Sequence, residues 1–218
     1  MSCDSYKSLY YIFVRVLVFI SPKRAYIKER GIDMLKIGII VGSTRDGRLS
    51  MQVADWLKTF TEGNTEAEFE VIDIKDFNLK EFNMLPPGML NRQYEDENVT
   101  AWSNKIEALD GFIFVTPEYN KNITPSLKNA IDHLGPEWAN KPAGSVSYGS
   151  TLGIGATLAL RQTLTNLGVA IVPAMGALNL FTDFENMTTF TPGEHHNESI
   201  QATIDGVLLW AKAFQTIR

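Results

Sequence analysis

Short apolar runs alternate with amphipathic stretches from Met34 onward, and this alternation limits the possible fold more than any other feature of the 218-residue chain. Buried strands that alternate with helices form a parallel sheet, with right-handed crossovers and helices on both faces. The sequence therefore predicts an α/β domain. Its five strands are expected at Lys36–Val41, Glu68–Ile74, Gly111–Thr116, Pro142–Ser147 and Val169–Val172.

The stretches between and after these runs carry apolar residues at helical spacing. Between the second strand and the next helix, residues 77–93 form a polar, proline-containing loop that is long enough to be functional. No repeat or second core is visible, so residues 34–218 are interpreted as one domain. Helices are predicted at Leu49–Thr61, Asn98–Leu109, Pro125–Leu134, Ile154–Leu167 and Glu198–Gln215.

Residues 1–33 do not continue this pattern. The apolar run Leu9–Ile20 is interrupted by Arg15, and it is shorter than the roughly 20 residues that a membrane-spanning helix needs. No clear cleavage site for a signal peptide follows it. We interpret residues 1–33 as an N-terminal extension outside the core domain, with Met34 as a plausible natural start, and we expect no membrane partner.

Charge and cysteine content exclude several classes of function. With 20 basic and 25 acidic side chains the formal net charge is −5, whereas a nucleic-acid partner would require a basic face. A single cysteine, Cys3, excludes an internal disulfide and cysteine-ligated clusters, and it suits the reducing cytoplasm.

No metal site is predicted, because no carboxylate or cysteine cluster shares a ligand spacing with the histidines. His133 is interpreted as a residue at the edge of a helix, and His195 and His196 as solvated. The tryptophans are expected in the core or on a dimer surface.

Three polar loops each follow a predicted strand, at residues 42–48, 117–120 and 147–150. The carboxyl ends of parallel strands meet at one edge of an open sheet, and ligands bind in the crevice beyond that edge. We therefore expect the three loops to converge on one ligand.

The first loop, GSTRDGR, precedes a helix, whose N-terminal amides favour an anion. Its hydroxyl groups and an arginine could hold a phosphate. The sequence matches neither GxGxxG nor GxxxxGK[ST], which argues against a Rossmann dinucleotide site and a P-loop. The alternative is a capped helix with solvated arginines. The candidate ligands are Gly42, Ser43, Thr44, Arg45, Arg48 and Ser50.

The other two loops suit a flat polar ring. Tyr119 offers an aromatic wall, and Asn120 and the neighbouring backbone offer hydrogen bonds. Tyr148 and Gly149 could serve the same ligand from the third loop. The alternative is that the first of these segments is only a turn and that Gly149 serves only the backbone.

The three loops, in this order and spacing, resemble the NADPH-dependent FMN reductase family of flavodoxin-like proteins, which includes quinone, chromate and azo-dye reductases. Residues 42–48 are similar to the family's GSTRPGR variant, with Asp46 where proline is usual. Residues 117–134 (PEYNKNITPSLKNAIDHL) and 141–161 (KPAGSVSYGSTLGIGATLALR) resemble its second and third flavin loops. The resemblance covers about residues 35–185.

The resemblance implies a flavodoxin-like three-layer sandwich with a five-stranded parallel sheet in the order 2-1-3-4-5. It also implies bound FMN, with NADPH or NADH as co-substrate. The family further implies a homodimer or homotetramer, and the apolar residues Leu127, Ile131 and Leu134 agree loosely with such an assembly. The same resemblance implies that Ser43, Arg45 and Arg48 hold the FMN phosphate. It does not indicate which of the two arginines makes the main contact. The isoalloxazine ring would be bordered by Pro117, Glu118, Tyr119 and Asn120, and its pyrimidine side by Ser147, Tyr148 and Gly149.

The expected function is an FMN-dependent NAD(P)H oxidoreductase. The enzyme would transfer a hydride to FMN and then pass electrons to a small acceptor, namely a quinone, free flavin, azo compound or metal ion, by a ping-pong mechanism. No acid–base side chain is required for the first half-reaction. One alternative is an electron carrier of the flavodoxin type that does not oxidise NAD(P)H. Another is a non-enzymatic module that binds a phosphorylated ligand.

Overall fold

A computed structural model describes residues 34–218, in which a parallel sheet carries helices on both faces. The interpretation of residues 1–33 as an extension falls outside the described residues. The strands of the sheet are β1 (Leu35–Val41), β2 (Ala67–Asp73), β3 (Gly111–Pro117), β4 (Pro142–Gly149), β5 (Ala170–Ile171) and β6 (Gly176–Asn179). A separate hairpin pairs β7 (Phe184–Glu185) with β8 (Thr189–Phe190). The helices are α1 (Ser50–Thr59), α2 (Pro87–Leu90), α3 (Glu97–Glu107), α4 (Pro125–Asp132), α5 (Ile154–Asn166) and α6 (Asn197–Phe214).

The strand order β2-β1-β3-β4-β5 confirms the predicted order 2-1-3-4-5. Ile39 of β1 lies opposite Val71 of β2 on one side and Ile113 of β3 on the other. The order reverses at β1, because the chain moves outward to β2 and then returns past β1 to β3. Such a reversal opens a crevice at the carboxyl ends of the two central strands.

The fifth position of the sheet holds two short strands instead of the single predicted strand Val169–Val172. β5 pairs with the start of β4, and β6 pairs with its end. Pro173 lies between them and has no N–H to donate to the ladder. The Arg161 guanidinium donates to the carbonyls of Val172 and Pro173, at 3.1 and 2.9 Å, and so satisfies groups that the ladder leaves unpaired.

Two hydrophobic clusters, one on each face of the sheet, confirm the three-layer sandwich. The helices α1 and α6 pack on one face, and α3, α4 and α5 pack on the other. Trp102 and Trp138 are fully buried in the second cluster, which places them in the core.

Three interpretations made from the sequence are corrected by this packing. His133 is the C-cap residue of α4 and is buried, with Nδ1 at 2.8 Å from the Asn129 carbonyl oxygen, so it is not an edge residue. His196 is buried against Asp183, so it is not solvated, and a carboxylate does lie beside it. The apolar residues that agreed loosely with an oligomer contact instead fill this chain's own core, and they are Leu127, Ile131 and Leu134.

Within residues 34–218, no helix has both the length and the apolar character needed to cross a membrane.

Adjacent leucines on α6 provide a test of this packing. Leu208 is 5% exposed and faces the core, whereas Leu209 is 67% exposed. We expect Leu208→Ala to lower the free energy of unfolding by about 2–5 kcal/mol, because it leaves a cavity. The same change at Leu209 should cost less than about 0.5 kcal/mol. Urea unfolding of both variants measures the difference, and equal losses would contradict the orientation of α6.

Candidate functional site

The three predicted loops lie together at the carboxyl ends of β1, β3 and β4, joined by backbone hydrogen bonds. The Gly42 amide donates to the Val115 carbonyl at 2.8 Å, which joins the first loop to β3. The Glu118 amide donates to the Tyr148 carbonyl at 2.8 Å, which joins the second loop to the third. The convergence expected from the sequence is therefore present in the structure.

The first loop is fixed to the N-terminus of α4. The Thr124 hydroxyl accepts a hydrogen bond from the Leu127 amide at 3.0 Å, as an N-cap, and donates to the Gly42 carbonyl. The hydroxyls of Thr44 and Ser126 are 2.9 Å apart. A side chain at position 42 would place Cβ 2.8 Å from Leu127, which explains the glycine there.

The backbone of the first loop presents a row of available donors. Among the described residues, the amides of residues 43–47 donate to no protein acceptor. Ser43 is 1% exposed, whereas Arg45 is exposed and forms no ion pair with another described residue. Unpaired amides beside a free guanidinium are the donor set that a phosphate dianion requires.

The other charged residues of the first loop are already engaged. The Arg48 guanidinium forms an ion pair with the buried carboxylate of Asp73 at the end of β2. Asp46 accepts a hydrogen bond of 2.8 Å from Lys75. That bond and the charge of Lys75 lower the pKa of Asp46. The carboxylate that replaces the usual proline thus has a cation of its own, and Arg45 is left as the uncommitted charge.

Ser50 and Tyr148 link the first loop's helix to the third loop. Their hydroxyl oxygens are 2.8 Å apart and buried. Burial raises the pKa of Tyr148 to about 12. The Ser50 hydrogen bond and the Arg45 charge lower this pKa, but by less than burial raises it. The Ser50 hydroxyl therefore holds the loops together. The Tyr119 hydroxyl, also buried, has no hydrogen-bond partner in the described part of the chain.

The second loop is a tight turn. The amides and carbonyls of Tyr119 and Asn122 exchange hydrogen bonds of 2.9 and 3.0 Å. Asn120 and Lys121 between them have φ angles of 50° and 65°, in the left-handed region that asparagine tolerates well. Pro117 is buried at the end of β3, and Asn120 is exposed at the tip.

The Glu118 carboxylate is directed at the N-terminus of α5. It accepts hydrogen bonds from the Gly155 and Ala156 amides, at 2.6 and 3.3 Å, and from Lys121 at 2.9 Å. Burial by itself would raise the pKa of Glu118, but these hydrogen bonds, together with that from Thr151, outweigh it and lower the pKa. Glu118 thus fastens the second loop to the helix that follows the third.

The third loop turns sharply between β4 and α5. The Ser147 hydroxyl is 2.8 Å from that of Thr157, inside the protein. Gly153 has φ +66°, and a Cβ there would lie 2.7 Å from Ser147. Gly149 is similarly crowded by Glu118. The amides of Ser150 and Thr151 donate to no acceptor within residues 34–218.

These features fit FMN. The free amides and Arg45 suit its phosphate, and the free amides of the third loop suit the polar edge of its ring. The buried Tyr119 hydroxyl of the second loop, which has no partner among residues 34–218, is a further polar group available to the ligand. Sequence reasoning missed four supporting residues, which are Asp73, Lys75, Thr124 and Ser126. Of these, only Thr124 had a sequence signal, as a threonine directly before the proline that begins a helix.

A groove of about 770 Å³ borders the first loop and was not predicted. Thr44 and Ser126 form its boundary with the loop, and Lys75, Phe82 and Asn129 line it farther away. Part of the long loop after β2 forms one wall of this groove. The loop that the sequence marked as long enough to be functional therefore lies beside the first loop.

Comparison with known proteins agrees with the geometry. Residues 35–183 match the sequence profile of the NADPH-dependent FMN reductase family. An NAD(P)H-dependent FMN reductase of Schizosaccharomyces pombe is 38% identical over 151 residues, which cover 68% of this chain and 74% of that protein. A quinone reductase of Pseudomonas putida is 28% identical over 194 residues, covering 83% and 96% of the two chains.

The fold also matches that of a solved structure, FerB, an NAD(P)H:(acceptor) oxidoreductase of Paracoccus denitrificans. It has a TM-score of 0.64 and 24% identity, over 83% of this chain and 98% of FerB. The chain therefore belongs to the NADPH-dependent FMN reductase family, and it is an oxidoreductase of that family that uses FMN and NAD(P)H.

Proposed function

We propose that this enzyme reduces a small acceptor, such as a quinone, free flavin, azo compound or metal ion, by a ping-pong mechanism. The proposal rests on the flavin site, and the observation that carries that site lies in the first loop. There the amides of residues 43–47 have no acceptor, and Arg45 no ion-pair partner, within the part of the chain that the structure describes. Bound FMN would supply the redox chemistry, accepting a hydride from NAD(P)H and giving electrons to the acceptor.

Arg45 is proposed as the main phosphate ligand. Arg48 is tied to Asp73, whereas the Arg45 guanidinium can form a bidentate contact without losing another partner. Ser43 and the loop amides would complete the phosphate site, with Thr44 at its boundary. Ser50 would act indirectly, by holding Tyr148 in place.

The second and third loops are proposed to hold the flavin ring. Pro117, Tyr119 and Asn120 would border one part of it, and the segment from Ser147 to Gly149 the pyrimidine side. Because the Glu118 carboxylate is bound to α5, Glu118 would act by fixing the loops. The free amides after β4 are suitable donors to the negative charge that develops during reduction.

Exposed residues beside these loops support one open face for both substrates. Asn120, Ser150 and Thr151 are all exposed. A nicotinamide and an acceptor that occupy the same place in turn give ping-pong kinetics. The quinone reductase relative supports quinones as acceptors. We also propose that the enzyme is a cytoplasmic homodimer or homotetramer, with the exposed Leu85 and Met89 of the long segment after β2 available for a subunit contact.

The choice between Arg45 and Arg48 can be tested with paired variants. Arg45→Ala should raise the Kd for FMN about 10- to 150-fold, since a charge-assisted hydrogen bond contributes about 1.5–3 kcal/mol. Arg48→Ala should mainly lower the thermal midpoint, because it leaves the buried Asp73 unpaired. Flavin fluorescence titration measures the Kd. A larger loss of FMN affinity in a folded Arg48→Ala protein would contradict the assignment.

Anaerobic spectra distinguish the reductase from an electron carrier. NADPH or NADH alone should bleach the flavin absorbance, and a quinone or azo dye should restore it. Steady-state double-reciprocal plots at several acceptor concentrations should be parallel. A flavin that dithionite reduces, but neither nicotinamide nucleotide does, would favour the carrier.

The assignment of residues 1–33 as an extension is tested by truncation. A chain of residues 34–218 should remain folded and FMN-loaded, because the described residues already form a compact unit that contains all three loops. FMN content and cooperative thermal unfolding are the measurements. Loss of either would show that the N-terminal segment contributes to the core or to an oligomer contact.

A further inference from the structure

Two histidines and an aspartate lie together at the sheet edge near β6, outside the three loops. Asp183 follows β6, and His195 and His196 end the short 3-10 helix Glu194–His196 that precedes α6. Each of the three offers a metal-ligand atom, and these atoms lie within 4.8 Å of one another. Neither the flavin site nor its chemistry uses them.

Asp183 is the fixed member of this cluster. Its side chain is buried, and Oδ2 accepts a hydrogen bond of 2.6 Å from the Asn179 amide. Its own carbonyl accepts from the Thr191 amide at 2.8 Å, which holds the base of the β7–β8 hairpin. The remaining oxygen, Oδ1, is 3.0 Å from Nε2 of the buried His196.

This spacing is close to that of two ligands on one ion. Ligand atoms at about 2.1 Å from a tetrahedral zinc ion are about 3.4 Å apart. A metal ion could replace the proton of the hydrogen bond between Oδ1 of Asp183 and Nε2 of His196. The two atoms would then need to separate by only a few tenths of an ångström. Because the Asn179 amide binds Oδ2, a metal ion bound to Oδ1 would replace only the hydrogen bond to His196.

His195 can supply the third ligand and the route to solvent. Its ring is exposed and packs against that of His196, with centroids 3.9 Å apart. An exposed side chain can rotate toward the buried pair at little cost. Two imidazoles and one carboxylate are typical of zinc and other late divalent transition metals, whereas Mg²⁺ and Ca²⁺ prefer all-oxygen ligands.

We propose that Asp183, His195 and His196 form a three-ligand site for a divalent transition metal, with the remaining coordination position open to solvent, and zinc is the simplest probe of it. The ion would join the segment after β6 to the N-terminus of α6. Phe184, next to Asp183, contacts Tyr148 of the third loop at a ring-centroid distance of 5.2 Å. The metal would thus stabilise the segment that packs against the third loop, without taking part in the redox reaction.

Zinc binding to the FMN-loaded full chain, without a polyhistidine tag and after chelator treatment, tests this directly. Competition with a chromophoric zinc indicator should give one tight site per chain, and Mg²⁺ should not compete. His195→Ala should weaken zinc binding at least tenfold, and it should fold normally because the ring is exposed. Asn197→Ala, a change at an exposed neighbour, and Cys3→Ser should both retain the site.

Thermal unfolding gives a second readout. Zinc should raise the midpoint of the unmodified protein and of Asn197→Ala, but not that of His195→Ala, because only a ligand of the folded state stabilises it. Flavin absorbance confirms that each variant is folded. If zinc does not bind, or binds equally to His195→Ala, Asp183 and His196 form only a buried hydrogen bond and the proposal is wrong.

Discussion

The rest of the site depends on backbone amides that the sheet leaves unpaired. At the carboxyl ends of β1, β3 and β4 the ladder stops, yet the Gly42 amide still bonds to Val115 and the Glu118 amide to Tyr148. These last sheet bonds hold the loops side by side. The amides of residues 43–47, just beyond them, have no acceptor among the described residues. A phosphate satisfies such amides better than water does, because it is charged.

Charge pairing decides which side chains remain available around these amides. Arg48 is neutralised by Asp73, Asp46 by Lys75, and Glu118 by Lys121 together with the amide end of α5. The first two pairs also fasten the first loop to the end of β2 and the residues after it, and the α5 amides fasten Glu118 of the second loop to that helix. The site therefore combines fixed walls with one free cation among the charged residues named for it, Arg45, which is the arrangement expected for reversible binding of an anion.

Much of the fold could be predicted because strand and helix periodicity is local. The positions of the first four strands follow from short, largely apolar runs, and the order 2-1-3-4-5 came from the family resemblance. The fifth strand was predicted less well, because its interruption depends on Pro173 and on the distant Arg161 side chain. The burial of His133 and His196 was missed for a similar reason, since neither has a local pattern that reveals what packs over it.

The sequence by itself determined the strands, the three loops and the family, because loop chemistry and spacing are written in consecutive residues. Only the tertiary structure decided which of those residues are free to bind. Asp73 is 25 residues from Arg48, and Tyr148 is 98 residues from Ser50. Contacts over such separations arise only when the sheet brings the strand ends together, so the availability of Arg45 is a property of the fold.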